Sequence, residues 1–527
     1  MGGLVSDFVH DDREDAITQL SSRIVSPSPP SGSTLSRRQL HVLTGGLMVG
    51  LLLAELDQTV FATALPTIAG DLHGVGSMVW VTTAYVLAGT IAMPVCGKLG
   101  DLVGRRAVFL TALAVLVLGS VVGGLAPDMP WLIAGRAIQG LGGGGLLVLI
   151  QAIVADVIPA RERAPYLATI GAVFALAAVL GPVLGGWLAD GVGWRWALWL
   201  NVPLGLAAIG IAAALLRTLP VRPTPVRADV GGIATLSLTV TALVLVATWA
   251  GSRYAWTSPV TLGLLATALA AGGAFLLIEA RTAEPLLPLT LFTERNFVIP
   301  ALAGLVMAVA VFGTVNYLPT YLQMAAGLSP TASGLMLLTL MTGIGLATVG
   351  AAQLVKRTGR YRGLPILGCA AVALALFGLS RLSVASGLPA VGGWLLLFGL
   401  GMGCALEILV LVVQNAVRPD QLGAATGGYN FLREVGVTLG TAIVGSLFTT
   451  GLTARLSQIR TDAVVDPSGL SPAALSQLPE PDQVVVMAAY HDSLVPIFGL
   501  VAPILVLSAI ALVFVRPVPL ATRVPAP

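Results

Sequence analysis

The chain reads as a succession of apolar stretches about 20 residues long, separated by short polar or basic segments. A helix of that length spans about 30 Å, the thickness of a bilayer's hydrocarbon core. The stretches fall near 41–64, 78–97, 107–126, 132–155, 166–188, 196–216, 229–249, 260–279, 297–321, 331–352, 363–380, 391–413, 422–449 and 494–515. They predict an all-α polytopic membrane protein with fourteen transmembrane helices. The least marked division lies between the fifth and sixth stretches, across Asp190 and Arg195.

The basic residues give these helices a direction. With the N-terminus inside, only Arg195, Arg253, Arg381, Arg455 and Arg460 fall in outer segments, Arg136 and Arg433 fall within helices, and every other Lys or Arg falls in an inner segment. Cytoplasmic loops carry such an excess, so both termini are expected in the cytoplasm. A long polar outer loop is expected at 450–493, read as mobile, with a cap over the outer mouth as the alternative.

The pattern also repeats. Leu65-Pro66-Thr67 closes the first stretch and Leu318-Pro319-Thr320 closes the ninth. One span later come Lys98…Gly104-Arg105-Arg106 and Lys356-Arg357-Thr358-Gly359-Arg360. We therefore expect a disordered cytoplasmic tail over 1–40 and a six-helix bundle over 41–216. Two inserted helices over 229–279, a second bundle over 297–515 and a cytoplasmic tail over 516–527 complete the division. Repeated halves around a midplane site suit a carrier that alternates access.

Composition supports the membrane reading: 56% of the 527 residues are hydrophobic, 10% are charged and the mean hydropathy is +0.91. Soluble domains carry roughly a quarter charged residues. Cys96, Cys369 and Cys404 form no C-x-x-C, and His10, His41, His73 and His491 are scattered. Neither structural disulfides nor a metal site is expected. No nucleophile–base set or nucleotide loop appears, so an enzyme is not expected.

Charged groups inside apolar stretches carry the candidate chemistry, because each costs roughly 2.5–3.5 kcal/mol at a helix centre. Glu55 and Asp57 lie about 200° apart on one helix and cannot share a face. One is expected to face a central cavity while the other packs against a neighbouring helix. Glu407 stands in an otherwise apolar run, either neutralising a cationic substrate, titrating as a second proton site, or serving as a protonated structural acid. Arg433 and Glu434 are adjacent and could satisfy each other or neighbouring groups. Gly181 and Gly185 form a G-x-x-x-G face, beside Pro182, that permits close helix contact and a bend. Gly140 and Gly144 repeat that spacing.

Several motifs resemble the major facilitator superfamily, and within it the fourteen-helix drug:proton antiporters, over essentially the whole chain after residue 40. Gly97-Lys98-Leu99-Gly100-Asp101-Leu102-Val103-Gly104-Arg105-Arg106 resembles the loop 2–3 signature. Leu56-Asp57-Gln58-Thr59-Val60 through Ala64-Leu65-Pro66 is similar to the helix 1 motif, with Ala62 where Asn is commonest and Thr63 following. Arg136-Ala137-Ile138-Gln139-Gly140 resembles the helix 4 motif, and Gly181-Pro182-Val183-Leu184-Gly185-Gly186 the antiporter motif of helix 5. Ala283-Glu284-Pro285-Leu286-Leu287-Pro288-Leu289 and Tyr321-Leu322-Gln323 also match.

The resemblance implies a proton-coupled exporter of amphipathic or cationic compounds. The alternative cargo is a lipid, a siderophore or a self-made natural product. It favours Asp57 as the coupling acid, with Arg136 as partner and Glu55 and Glu407 as further acids. Gly97, Asp101, Gly104, Arg105 and Arg106 would form a gate on the inner side, with Asp101 paired to a basic group of a neighbouring helix end. Gly181, Pro182, Gly185 and Gly186 would act as pivot and seal. Tyr85, Gln139, Phe174, Asn316, Tyr317, Asn430 and Phe431 are the candidate substrate contacts, and Trp80, Asn201, Gln323 and Gln414 could add to them. No cofactor is expected beyond a proton gradient. The expected partners are a small-molecule substrate and membrane lipids, with no nucleic acid, and the chain is expected to work as a monomer in a bacterial plasma membrane.

Overall fold

In hydrocarbon every backbone N–H and C=O must be paired within the chain, so apolar segments of this length fold as helices. The computed structural model describes residues 37–74, 77–218, 229–251, 253–382, 387–457, 475 and 479–521. In chain order we label α1 (Arg37–Asp71), α2 (Met78–Val103), α3 (Arg105–Gly124), α4 (Met129–Val157) and α5 (Ala160–Asp190). Then follow α6 (Arg195–Leu215), α7 (Val230–Trp249), α8 (Pro259–Glu279), α9 (Arg295–Val315) and α10 (Pro330–Thr358). The last four are α11 (Gly363–Leu379), α12 (Leu388–Ala416), α13 (Leu422–Leu456) and α14 (Glu480–Leu512). Among the described residues thirteen helices are long and apolar enough to cross a membrane, and α11, with 17 residues, is a shorter apolar helix.

Local chemistry sets many of the ends. Asp128 caps α4 by accepting from Trp131 N at 3.0 Å, and Ser258 and Ser329 cap α8 and α10 the same way. Gly359, at φ +70°, ends α10 in the left-handed conformation that suits glycine.

Packing partners repeat between the two bundles. In the first, α1 packs on α5, while α2 and α3 pack on α4; in the second, α9 packs on α13, while α10 and α11 pack on α12. The bundles meet through α2 on α13 and α5 on α10, which are equivalent pairs under that repeat. Small residues permit the closest approaches. A Cβ on Gly144 would strike the backbone of Gly89, and one on Gly399 would strike that of Leu340.

The inserted hairpin lies along one edge only. Helix α7 packs on α8 and also touches α2 and α13, one from each bundle. Leu236, Val240 and Val244 of α7 join Leu87, Ile91 and Val95 of α2 and Phe431 of α13 in one cluster. At the hairpin tip Trp249 stacks edge-on against Trp80 of α2, centroids 6.0 Å apart, and Trp256 Nε1 donates to Ser446 Oγ of α13 at 2.9 Å.

Several expected boundaries move. Helix α1 begins at Arg37, inside the segment expected as a tail, and runs through Pro66 to Asp71. The loop expected at 450–493 is shorter, because α13 extends to Leu456 and α14 begins at Glu480. Charged Asp482 and Asp492 broke the hydropathy there. Val486, Tyr490 and His491 are nonetheless buried, and His491 Nε2 lies 3.0 Å from the Leu382 carbonyl oxygen. Residues 516–521, expected as tail, are fastened down. Asn296 and Arg516 exchange two bonds at 3.1 and 2.8 Å, and Tyr361 Oη both donates to Val518 O and accepts from Val518 N. Residues 1–36, 522–527 and most of 458–478 lie outside the described residues.

Lys98, Arg105, Arg161, Lys356, Arg362 and Arg516 all lie around the helix ends at one face, here called the basic face. The opposite one is the distal face.

Candidate functional site

The charged residues of the first bundle converge. Asp57 of α1 and Arg136 of α4 are fully buried and form a salt bridge, Arg136 Nη1 donating to Asp57 Oδ2. The same Nη1 also donates to Gln139 Oε1 at 3.0 Å. Gln139 Nε2 and Asn201 Nδ2 donate to Asp57 Oδ1 at 2.9 and 2.8 Å, and both also reach Ser120 Oγ of α3. Four helices thus close around one carboxylate.

The guanidinium is held on its faces as well. Phe61 and Tyr85 lie on it, each centroid 4.3 Å from its central carbon, and Arg136 Nε donates to Val81 O at 3.3 Å. Aromatic faces stabilise a desolvated guanidinium by about 2 kcal/mol. Arg136 Nη2 has no partner. Besides Asp57, Arg136 is thus held by a carbonyl, an amide and two rings.

This geometry reassigns three candidates. Gln139, expected to touch substrate, is wholly buried and serves Asp57. Tyr85 stacks on Arg136 and donates to Ala54 O at 3.1 Å. Of the two carboxylates of α1, Asp57 is the packed one. Glu55 is half-buried and lies within electrostatic reach of Arg433 and Glu434 on α13.

A second polar centre therefore lies between the bundles. Arg433 is also within electrostatic reach of Glu407 of α12 and of its own neighbour Glu434. Glu407 Oε2, Arg433 Nε and Tyr429 Oη are buried without a hydrogen-bond partner. Arg433 and Glu434 form no ion pair within 4 Å, so of the two expected arrangements the direct pair is not the one the structure shows.

At the basic face the bundles are joined. Asp101 accepts from Gly423 N at 2.9 Å and Ala424 N at 2.8 Å, so its carboxylate sits on the N-terminus of α13. Arg105 bridges Asp101 at 3.0 Å to Asp156 at 2.6 Å, whereas Arg106 turns to the α6 end and donates to Ala213 O. The expected basic partner of Asp101 is thus Arg105, and the neighbouring helix end offers backbone N–H groups instead. Gly97 meets the backbone of Gly423 and Gly427, while Gly104 takes φ +102°. Arg161 of α5 donates to the last carbonyls of α10, Lys356 O and Arg357 O.

Deeper at the same junction, Asn430 Nδ2 donates to Gln151 Oε1 at 2.7 Å, and Gln414 Nε2 donates to Gln151 O at 3.1 Å. Asn430 is thus buried between the bundles and is not a cavity contact. Gln151, Thr426 and Ser120 were not singled out in the sequence; an amide within Leu147–Ala155 was a signal, but a lone serine was none.

Toward the distal face α1 exposes Thr63, Pro66 and Thr67, and α9 ends at exposed Asn316. Asn316 and Tyr317 bond to Thr441 of α13 within their own bundle, at 2.9 and 3.3 Å. Phe431 faces the inserted hairpin, and Phe174 is half-buried against the main core, which both bundles share. On α5, Gly181 and Gly185 let α1 approach to Thr59 and Thr63, and Thr59 Oγ1 donates to Ala177 O at 3.1 Å. Pro182 is exposed, and a Cβ on Gly186 would meet nothing. No group of three or more potential metal ligands occurs among the described residues.

A family model described as Major Facilitator Superfamily matches residues 47–441. An uncharacterised MFS-type transporter of Mycobacterium tuberculosis is 39% identical over 490 residues, covering 93% of this chain and 71% of that protein. The multidrug transporter protein MdtP of Bacillus subtilis is 33% identical over 430 residues, covering 82% and 78%. Among solved structures, the human organic anion transporter MFSD10 superposes with a TM-score of 0.61 at 17% identity, covering 90% and 99%. That last likeness is one of fold.

Proposed function

The chain belongs to the major facilitator superfamily, among relatives that are drug-efflux transporters, and we propose that it exports small cationic or amphipathic compounds in exchange for protons. All fourteen helices span the membrane in this reading, α11 included, since 17 residues reach about 25 Å. The basic face is cytoplasmic, the membrane is a bacterial plasma membrane, one chain suffices, and the proton gradient is the energy source.

The observation that carries this reading is the centre between the bundles. Glu55 comes from one bundle, Glu407, Arg433 and Glu434 from the other, and three carboxyls lie within electrostatic reach of one guanidinium. Buried polar groups normally have partners, so the unpartnered Glu407 Oε2 and Arg433 Nε support a ligand site there. An excess of carboxyls in low dielectric favours a cation, or protons in its place. Competition between the two at one centre couples export to proton entry. Asp57 and Arg136 report protonation to four helices of the first bundle, because neutralising Asp57 frees Arg136.

The test is substrate-dependent proton release in proteoliposomes, using a lipophilic cation dye. Wild type should release protons on dye uptake, and Glu407→Gln should weaken dye binding. Transport insensitive to pH and to membrane potential would refute proton exchange.

A further inference from the structure

Outside the transport path, the geometry points to a second proton-binding site: Asp229 and Glu279 share one proton at the base of the inserted hairpin, and that proton holds the 284–289 loop against the basic-face gate. The inference does not depend on what cargo is moved.

Asp229 is the N-cap of α7 and Glu279 the last residue of α8. One oxygen of each is occupied: Asp229 Oδ1 accepts from Gly232 N at 2.8 Å, and Glu279 Oε2 from Leu287 N at 3.1 Å. The other two, Asp229 Oδ2 and Glu279 Oε1, are buried and have no partner. Both crowd the same spot. A Cβ on Gly232 would meet Glu279 Oε1 at 2.8 Å and Asp229 Cγ at 2.7 Å. Glu279 is 3% exposed.

Two carboxylates cannot both stay ionised so close together and out of water, whereas a carboxyl and a carboxylate make a strong hydrogen bond. The helix ends favour one arrangement. The N-terminus of α7 stabilises charge on Asp229, and the C-terminus of α8 disfavours it on Glu279, which therefore carries the proton.

The charged surroundings are few. Lys98 of α2 is engaged with Glu284 at 2.7 Å, and Arg281 is exposed in the turn after α8. The facing side chains of α2 and α13 in this cluster are Leu87, Ile91, Val95 and Phe431. Arg222 and Arg227 precede Asp229 among residues outside the described set.

The consequence passes through Leu287. Its N–H is held by Glu279, and its side chain packs directly on Gly428 of α13, one turn from the gate residues Gly423 and Ala424. Glu284, in the same loop, reaches Lys98 of α2. The loop thus touches both helices of the gate. Raising the pH on the basic face removes the proton and leaves an ionised Glu279 shut away from water beside Asp229; escape from that desolvation outweighs the bond from Leu287 N–H and releases the loop.

The experiment uses the full-length protein with its three native cysteines replaced and Leu286→Cys, a buried loop position, as reporter of thiol labelling. Labelling should rise about tenfold from mildly acidic to alkaline pH, as expected when about 1.4 kcal/mol of loop stabilisation is lost. Glu279→Gln, which keeps a donor toward Asp229, should stay protected throughout. Gly232→Ala, which wedges the pair apart without removing a titratable group, should label readily at every pH. An unchanged pH rise in Glu279→Gln would overturn the proposal. So would protection of the wild type at fixed alkaline pH by sodium, magnesium or calcium, which would make the site a cation site, or loss of the rise in Arg227→Ala.

Discussion

Asn430 of α13 donates to the side-chain oxygen of Gln151 on α4 at 2.7 Å, and so ties one bundle to the other through two neutral amides buried beyond reach of water. A gate of this kind is insensitive to salt and to pH, unlike the Asp101–Arg105–Asp156 chain below it. It also binds only when the bundles are in register.

Removing that tie should open the basic face. Asn430→Ala leaves Gln151 Oε1 buried and unpaired, at a cost of about 1–3 kcal/mol. The closed population should fall about tenfold, read as faster labelling of Ala155→Cys, which is buried against Leu422 across the gate. Unchanged labelling would mean that the amides contribute nothing to closure.

The Asp57–Arg136 pair should behave as a unit. Asp57→Asn or Arg136→Gln alone leaves one buried charge without its counter-charge, a loss of about 3–5 kcal/mol. The double variant removes both charges, and its melting temperature in detergent should recover above that of either single variant. Additive losses would show that the two side chains act independently. All three variants should lose proton-coupled transport.

Glycines of the gate and of the helix 5 motif should separate cleanly. A Cβ on Gly97 would sit 3.1 Å from the Gly423 carbonyl carbon and 3.3 Å from Gly427 Cα, all rigid backbone. Gly97→Ala should keep normal thermal stability, because its contacts lie only in the other bundle, yet abolish transport by blocking closure. Gly186→Ala meets open space and should transport as wild type does.

Asp101→Asn keeps an oxygen for the α13 N-terminus but removes its charge. The helix-end interaction should lose about 1 kcal/mol, and Arg105 should retain Asp156 alone. Transport should slow several-fold with expression unchanged. A wild-type rate would assign the clamp to the amides.

The large features of the chain were legible because hydropathy acts over twenty residues at a time. All fourteen apolar stretches are helical, but the Leu-Pro-Thr repeat falls differently in the two places, Pro66 inside α1 and Pro319 just past the end of α9. Helix ends were not, since α14 begins fourteen residues before its apolar stretch, in a segment whose charges hide its buried face. Asp57 and Arg136 could be found because a charge in hydrocarbon is conspicuous, and Asp101 through the resemblance of its loop. Gln151 and Ser120 could not be assigned, because a neutral polar group acquires its meaning only from the helix opposite. Gln139 and Asn430 show the same limit: both are polar and on the right helices, but turned into the protein.

The α7–α8 hairpin is fastened to Trp80 of one bundle and Ser446 of the other, along a single edge. A pair of covers bound on one side opens away from its spine. In the proposed exporter, rocking of the bundles would therefore be lopsided, narrower beside α7 than between α5 and α10.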